Sequence, residues 1–532
     1  MGLWRLSGIK LRIDEKEETL KEKAALFSGI AVDEILHYEL LKKALDARRN
    51  RPPHYVCVVK IKVKDNVLLN NRSKENIQIQ EIAEERQTAF PVLRAWTDNP
   101  VLVGGGGPAG LFAALVLLQN HIPVMLLERG RPILQRTRDV EKFWQEGLLN
   151  PVSNVLFGEG GAGTFSDGKL TCRTKNPSAL WGRKMLVEMG APANIITDAK
   201  PHIGTDRLRG TIINFREKLI AMGGSIRFGA QITDFIIEKN AIAGVVINGE
   251  EEIKTKYLIL AIGQNSDDTY EKLHSRGVKM EAKPFALGLR VEHPQELINS
   301  IQYGRWKEQA ALPPAEYFLT ASAPHWHRSI YTFCMCPGGS VIGCSVFPGH
   351  VLVNGMSNSL RDGEFANSAV VVNIRTDDFV KGINPLAGLE FRRLWEKKAF
   401  LAGGGDYFAP AQRLPDFLDN KPPVSIGKTS FRPGVRPALM HDILPDYVSE
   451  ALRFGLREFD KKMKGFLTRD AHLIGVETRT SAPLRICRGR DGQSETIRGI
   501  YPCGEGSGYA GGIVSSALDG IRAAENLLSS NS

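Results

Sequence analysis

The chain has 532 residues, 42% hydrophobic and 24% charged, with a formal net charge of +10 and a pI near 9.1. That is the composition of a globular protein of two or three domains. Seven cysteines are too few, and odd in number, for a disulfide framework. No segment approaches the roughly 18 consecutive apolar residues of a membrane span. The start, M-G-L-W-R-L, has no uninterrupted apolar core, and Leu6 stands where a myristoylation motif wants Ser or Thr. A cytoplasmic protein without a membrane partner is therefore expected. The basic balance suits an anionic cofactor or substrate, and also RNA. Its spread over Lys42, Lys43, Arg48, Arg49, Arg51, Lys60, Lys62 and Lys64 reads as a solvated face, so nucleic acid is not the favoured partner.

Residues 1–95 read as a separate small α/β unit. Ile9–Ile13 alternates like a strand, Glu15–Leu26 and Val32–Ala47 read as amphipathic helices, and Tyr55–Val63 as a strand. Asp65–Arg94 is polar and irregular, and serves as a connection. A Rossmann-like nucleotide domain, discontinuous in sequence, should then occupy 96–282 and 465–532. An inserted α+β substrate or cap domain should fill 283–464, where strand signals mix with many Pro and Gly.

Val101–Gly110 reads V-L-V-G-G-G-G-P-A-G. An apolar strand runs into a glycine turn, and Leu111–Gln119 reads as the helix that follows. Gly105 suits a tight turn, Gly107 a close approach to pyrophosphate, and Gly110 close helix packing; Pro108 and Ala109 open the helix. The helix N-terminus offers N–H groups and a positive dipole end to phosphates. Ile122–Leu127 is the second strand, and Glu128 at its end is placed to accept from a ribose hydroxyl. Arg129 and Arg136 are candidate phosphate or ribose contacts.

Two further glycine-rich stretches suit the same ligand. Phe157–Leu170 reads F-G-E-G-G-A-G-T-F-S-D-G-K-L; its Gly161, Ala162, Gly163, Thr164, Ser166 and Asp167 offer close-approaching amides and short polar groups. Near the C-terminus a strand runs into Gly504 and Glu505, then Gly511, Gly512 and Ile513 open the helix Val514–Leu528. Glu505 is placed to accept from sugar hydroxyls, and the helix start to favour negative charge. Between them, Ser225–Phe228, Gln231–Ile237 (with Ile232), Ala243–Ile247 and Tyr257–Ala261 read as strands, the last ending at Gly263. Gly403–Gly405 has no strand before it and no helix after it. Only one dinucleotide turn is thus present, and NAD(P)H is at most a transient electron donor.

These marks resemble the FAD-dependent dehydrogenases found widely in bacteria, within the glutathione-reductase superfamily of two-dinucleotide-fold flavoproteins. The resemblance runs over essentially the whole chain. It is carried by Asn150–Leu170, Pro201–Leu208 (P-H-I-G-T-D-R-L), Tyr331–Gly339 (Y-T-F-C-M-C-P-G-G), Asn354–Ser357 and Tyr501–Asp519. It implies FAD and an oxidoreductase acting on a small organic molecule, with the substrate and oligomeric state left open. Where that family reads G-H-S-A-R-D-T, this chain has Gly263-Gln264-Asn265-Ser266-Asp267-Asp268-Thr269.

No catalytic residue is evident, because a flavin carries its own redox chemistry. The candidates are Cys336, with Cys334 in a C-x-C pair, Arg479 and Lys169; His202 is a further proton-donor candidate. Inert thiols, a paired arginine, a solvated lysine and a structural histidine are the plainer readings. No metal site is expected. A flavoprotein acting on RNA, and a flavin-bound structural or partner-binding module, are the competing functions.

Overall fold

The computed structural model describes residues 2–48, 51–65, 67, 69, 77–83, 96, 99–172, 174, 176–380 and 382–530. Arg49 and most of the Asp65–Arg94 connection lie outside them.

The N-terminal unit is a four-stranded antiparallel sheet in the order Ile35–Asp46, His54–Val63, Gly2–Arg12, Gln78–Glu81. Helix Thr19–Ser28 buries Leu20, Ala24 and Ala25 against Leu6, Ile9, Val59 and Ile61. Two expectations are corrected here. The segment expected as a second helix, Val32–Ala47, is a short turn at Val32–Glu34 followed by the 12-residue strand Ile35–Asp46. Its Leu, Lys and Ala residues favour helix locally, but pairing along the whole of His54–Val63 overrides that preference. Inside the expected irregular connection, Gln78–Glu81 pairs with Trp4–Ser7 as an edge strand.

The second sheet is parallel, in the order Ile500–Pro502, Leu258–Leu260, Val101–Gly104, Val124–Glu128, Ser225–Phe228. Strands from three distant parts of the chain lie side by side, as the discontinuous reading requires. All four residues of Val101–Gly104 are buried, as are ten residues of helix Pro108–Gln119. The helix packs on Ile513–Ser530, with Leu111, Leu115, Val514 and Ile521 in one core. A three-stranded sheet of Ile232–Glu238, Ala241–Ile247 and Glu251–Lys254 stands apart from the parallel one.

The inserted domain is an eight-stranded mixed sheet. Its centre is Arg328–Gly343, Phe365–Ile374 and Phe285–Pro294, antiparallel throughout. Helix Asp446–Lys462 packs on it through Val448, Leu452, Leu456 and Phe459. The sheet continues beyond residue 464: His472–Glu477 is hydrogen-bonded between Phe285–Pro294 and Ala409–Arg413. That strand is buried on both faces, so its apolar run does not reveal which sheet it joins. The short ladder Met280–Ala282 with Leu484–Ile486 carries both crossings between the two domains.

Candidate functional site

The parallel sheet and the large mixed sheet face each other across a cavity of about 880 Å³. Its floor is the turn after Val101–Gly104. Gly105 has φ +111°, and a Cβ there would stand 2.3 Å from Ala261 O, so only glycine lets the first and last-but-one strands of this layer meet. Gly107 caps helix Pro108–Gln119 in an extended conformation. A Cβ on Gly107 would meet only Gly161 Cα, at 3.8 Å, and one on Gly263 or Gly511 would meet nothing within 4 Å. These three positions present bare backbone to open space. That is the cradle a pyrophosphate and a flat ring require.

Three glycine-rich stretches converge on that space. The first brings Gly105, Gly107, Pro108 and Ala109; the second Gly161, Ala162, Gly163, Ser166 and Asp167; the third Gly504, Glu505, Gly511, Gly512 and Ile513. Glu128, Arg129, Ile232 and Gly263 line it as well, with Lys169, Cys334, Cys336 and Arg479. Three expected contacts stand elsewhere. Gly110 lies under the turn, where a Cβ would meet Gly105 O at 1.9 Å. Thr164 is buried and donates to Glu159 O at 3.0 Å. Arg136 is wholly buried, and its guanidinium donates to the carbonyls of Asn154, Val155, Glu159 and Gly161 at 2.6–2.9 Å. It clamps the loop that carries the second glycine stretch. A sequence window cannot distinguish this from phosphate binding, since both use the same fork of donors.

Glu128 holds the site together from the end of its strand. Its carboxylate accepts from Gly106 N at 2.7 Å, Gly130 N at 2.9 Å and Gly158 N at 3.0 Å. A carboxylate has about four acceptor positions, which leaves one for a hydroxyl. Glu128→Ala is expected to weaken FAD binding by about 1–3 kcal/mol, the cost of unpairing such donors. Equilibrium dialysis checks this, and unchanged affinity contradicts it. Arg129 is engaged by Asp268, twice at 3.1 Å, and stacks 4.4 Å from the Phe157 ring centroid.

The divergent stretch Gln264–Asp267 lines the cavity with Gln264, Asn265 and Ser266 and braces the protein behind it. Gln264 donates to Arg479 O at 2.9 Å and Glu505 Oε1 at 3.0 Å. Asp267 is fully buried and pairs with Arg392 at 3.2 Å, Arg393 at 3.0 Å and Arg479 at 3.3 Å. Arg479 also forks onto Glu396 at 2.8 and 3.0 Å, so its guanidinium is committed within the protein. Burial opposes the Glu396 charge, but Arg479 outweighs it and holds the carboxyl down at about 2.

Burial pushes the Glu505 carboxyl up from 4.5 to about 7. The folded chain therefore holds this proton more tightly than the unfolded chain. The group is neutral in both states at low pH, and it costs stability progressively as pH rises from about 4.5 to about 7. In cofactor-free protein, Glu505→Gln should gain stability relative to the parent chain across that window, by about 3 kcal/mol at its upper end. Urea titrations at several pH values check it; a difference that does not vary with pH contradicts it.

Sequence reasoning passed over several residues of this wall and one behind it. Arg290 is wholly buried behind Cys336. It pairs with Glu477 at 2.7 Å and donates to Asn367 Oδ1 at 2.7 Å and Cys334 O at 2.6 Å. A charge inside an otherwise apolar strand, F-A-L-G-L-R-V, was the available signal. Arg361 forks onto Asp167, and Phe318 and Phe333 are exposed on the cavity wall. His202 does not line the cavity; its ring contacts Ser359 O at 3.2 Å, and burial lowers its pKa. Cys336 is buried, 3.6 Å from Arg290 Nη2 and 3.9 Å from Lys169 Nζ. No cluster of metal-ligating side chains occurs among the described residues.

Fold and site together define a flavoprotein with a Rossmann-like FAD-binding domain and an inserted domain. Residues 284–480 match the family model described as "FAD-dependent protein, C-terminal domain-like", and residues 5–62 match a domain of unknown function. A Clostridium beijerinckii protein, described as uncharacterized, is 41% identical over 531 residues, covering 98% of each chain. The chain belongs to the same family as this relative. Among solved structures, it is similar to the flavin-dependent brominase Bmp2, at 13% identity and TM-score 0.35, covering 81% of this chain and 80% of that one. It is also similar to glycine oxidase from Bacillus cereus, at 11% identity and TM-score 0.32, covering 81% and 95%. FAD is the cofactor. Among the described residues no helix is long and apolar enough to cross a membrane.

Proposed function

We propose that this protein is an FAD-dependent oxidoreductase that moves two electrons between a small organic substrate and the flavin. The observation that carries the reading is the single cavity in which three separated glycine stretches meet a wall of the inserted sheet. One dinucleotide turn, the strand end at Gly263 and the terminal Gly504–Glu505 turn support placement in the glutathione-reductase superfamily. Bound FAD supplies reversible hydride and electron chemistry.

The chain's own residues bind, orient and exclude water. Gly107 and Gly161 approach the phosphate position with bare backbone, and Glu128 keeps an acceptor free for a ribose hydroxyl. Glu505 offers a carboxyl to sugar hydroxyls. The start of helix Ile513–Ser530, at Gly512, offers a positive dipole end that favours negative charge on a ring placed against it. The inserted sheet lines the other side with Phe333, Cys334 and Cys336, and Lys169 stands beside Cys336 on the cavity wall. NAD(P)H is at most a transient electron donor.

RNA is the less favoured substrate. Several basic residues of the N-terminal unit are paired in place: Lys43 with Glu17 at 2.6 Å, Arg48 with Asp46 at 2.5 Å, and Lys60 with Glu39. Anaerobic mixing of FAD-loaded protein with a metabolite panel that includes NADH and NADPH tests the proposal. Bleaching of the flavin by at least one compound supports it. A loaded protein that no compound in the panel reduces counts against it.

A further inference from the structure

We propose that the substrate carries a carboxylate on a flat apolar body, with the carboxylate bound at Lys169 and the body against Phe318 and Phe333. This rests on the flavin reading above and names the substrate class of that same cavity.

The charge around Lys169 does not balance. Among the described residues Asp167 is its only carboxylate partner, at 3.0 Å. That carboxylate is already held by the Arg361 fork, Nε at 2.9 Å and Nη2 at 2.6 Å, and by the Ser357 hydroxyl. Two cations thus share one anion, and the pair Arg290–Glu477 behind them is neutral as a unit. Of the other groups on this side, Glu316 is paired with Lys200, and burial works against charge on His202. Burial works against charge on Lys169, but its amine beside the Asp167 carboxylate stays above the ordinary lysine value. One positive charge is therefore left over. It sits on a side chain that is 28% exposed, on the cavity wall.

The apolar half of the site comes from the inserted sheet. Strands Thr320–Ala323 and Arg328–Gly343 are antiparallel with Thr320 opposite Tyr331, and Leu319 exchanges hydrogen bonds with Thr332. The next position in that register sets Phe318 opposite Phe333. Both line the cavity, 68% and 37% exposed, although large aromatics of a sheet are ordinarily covered. Three residues on from Phe333, Cys336 lies against Lys169. An aromatic pair and a surplus ammonium thus stand on one wall, in the order a flat acid would require.

The test uses benzoate and its neutral isostere benzamide, each titrated into FAD-loaded protein while the flavin spectrum is followed. Benzoate should perturb the spectrum saturably and bind roughly 10- to 100-fold more tightly than benzamide, as a charge-assisted hydrogen bond implies. Lys169→Gln should bring the two within about threefold, while Lys169→Arg keeps the preference. Equal binding of the two, no perturbation by either, or a preference that survives Lys169→Gln overturns the assignment. The flavin content of each sample separates the two levels. A chain that takes up no FAD overturns the flavin reading and this one with it. A fully loaded chain indifferent to charge overturns only the substrate class.

Discussion

Gly107→Trp is expected to yield a folded protein that retains no FAD, with affinity lowered on the order of a thousandfold or more, about 4 kcal/mol. The position is open on the cavity side, since a Cβ there meets nothing nearer than Gly161 Cα at 3.8 Å. An indole can thus point into the cavity without breaking the turn, and it fills the place where Gly107 and Gly161 face each other. The measurement is flavin content after reconstitution, with thermal unfolding of the cofactor-free chain as the control for folding. A folded variant that loads FAD normally contradicts the placement of the phosphates.

Replacing Arg136 by Met is expected to destabilise the chain by several kcal/mol, about 1–3 kcal/mol for each buried carbonyl left without a donor. The carbonyls of Asn154, Val155 and Gly161 lose the Arg136 donor at once, and Glu159 O keeps only Thr164. The loop they anchor carries Gly161 to Asp167, so FAD retention should fall with stability. Denaturant unfolding of the cofactor-free protein separates the two effects. If Arg136 instead touched phosphate, the cofactor-free chain would lose little stability and only FAD binding would weaken.

The nucleotide layer was legible because its signals are local. The strand Val101–Gly104, the turn and helix Pro108–Gln119 form one continuous unit, and Glu128 closes the next strand. Glycines that must bare their backbone leave a mark no other residue type can leave. The inserted sheet was legible only as strand signals. His472–Glu477 is apolar and buried, and nothing in such a run says which sheet it completes. Ile35–Asp46 was misread as helix because its partner, His54–Val63, decides its conformation from outside the window. The polar wall was harder still. Asp167 and Arg361 meet only after the two domains face each other, Arg290 and Glu477 only after their strands pair in the inserted sheet, and sequence separation hides both pairs.

The most direct test of the central claim is the stoichiometry of flavin bound by the purified, reconstituted chain. The account predicts a yellow protein with one FAD per chain, released on denaturation as the intact dinucleotide. A folded chain that stays colourless when offered FAD would contradict it.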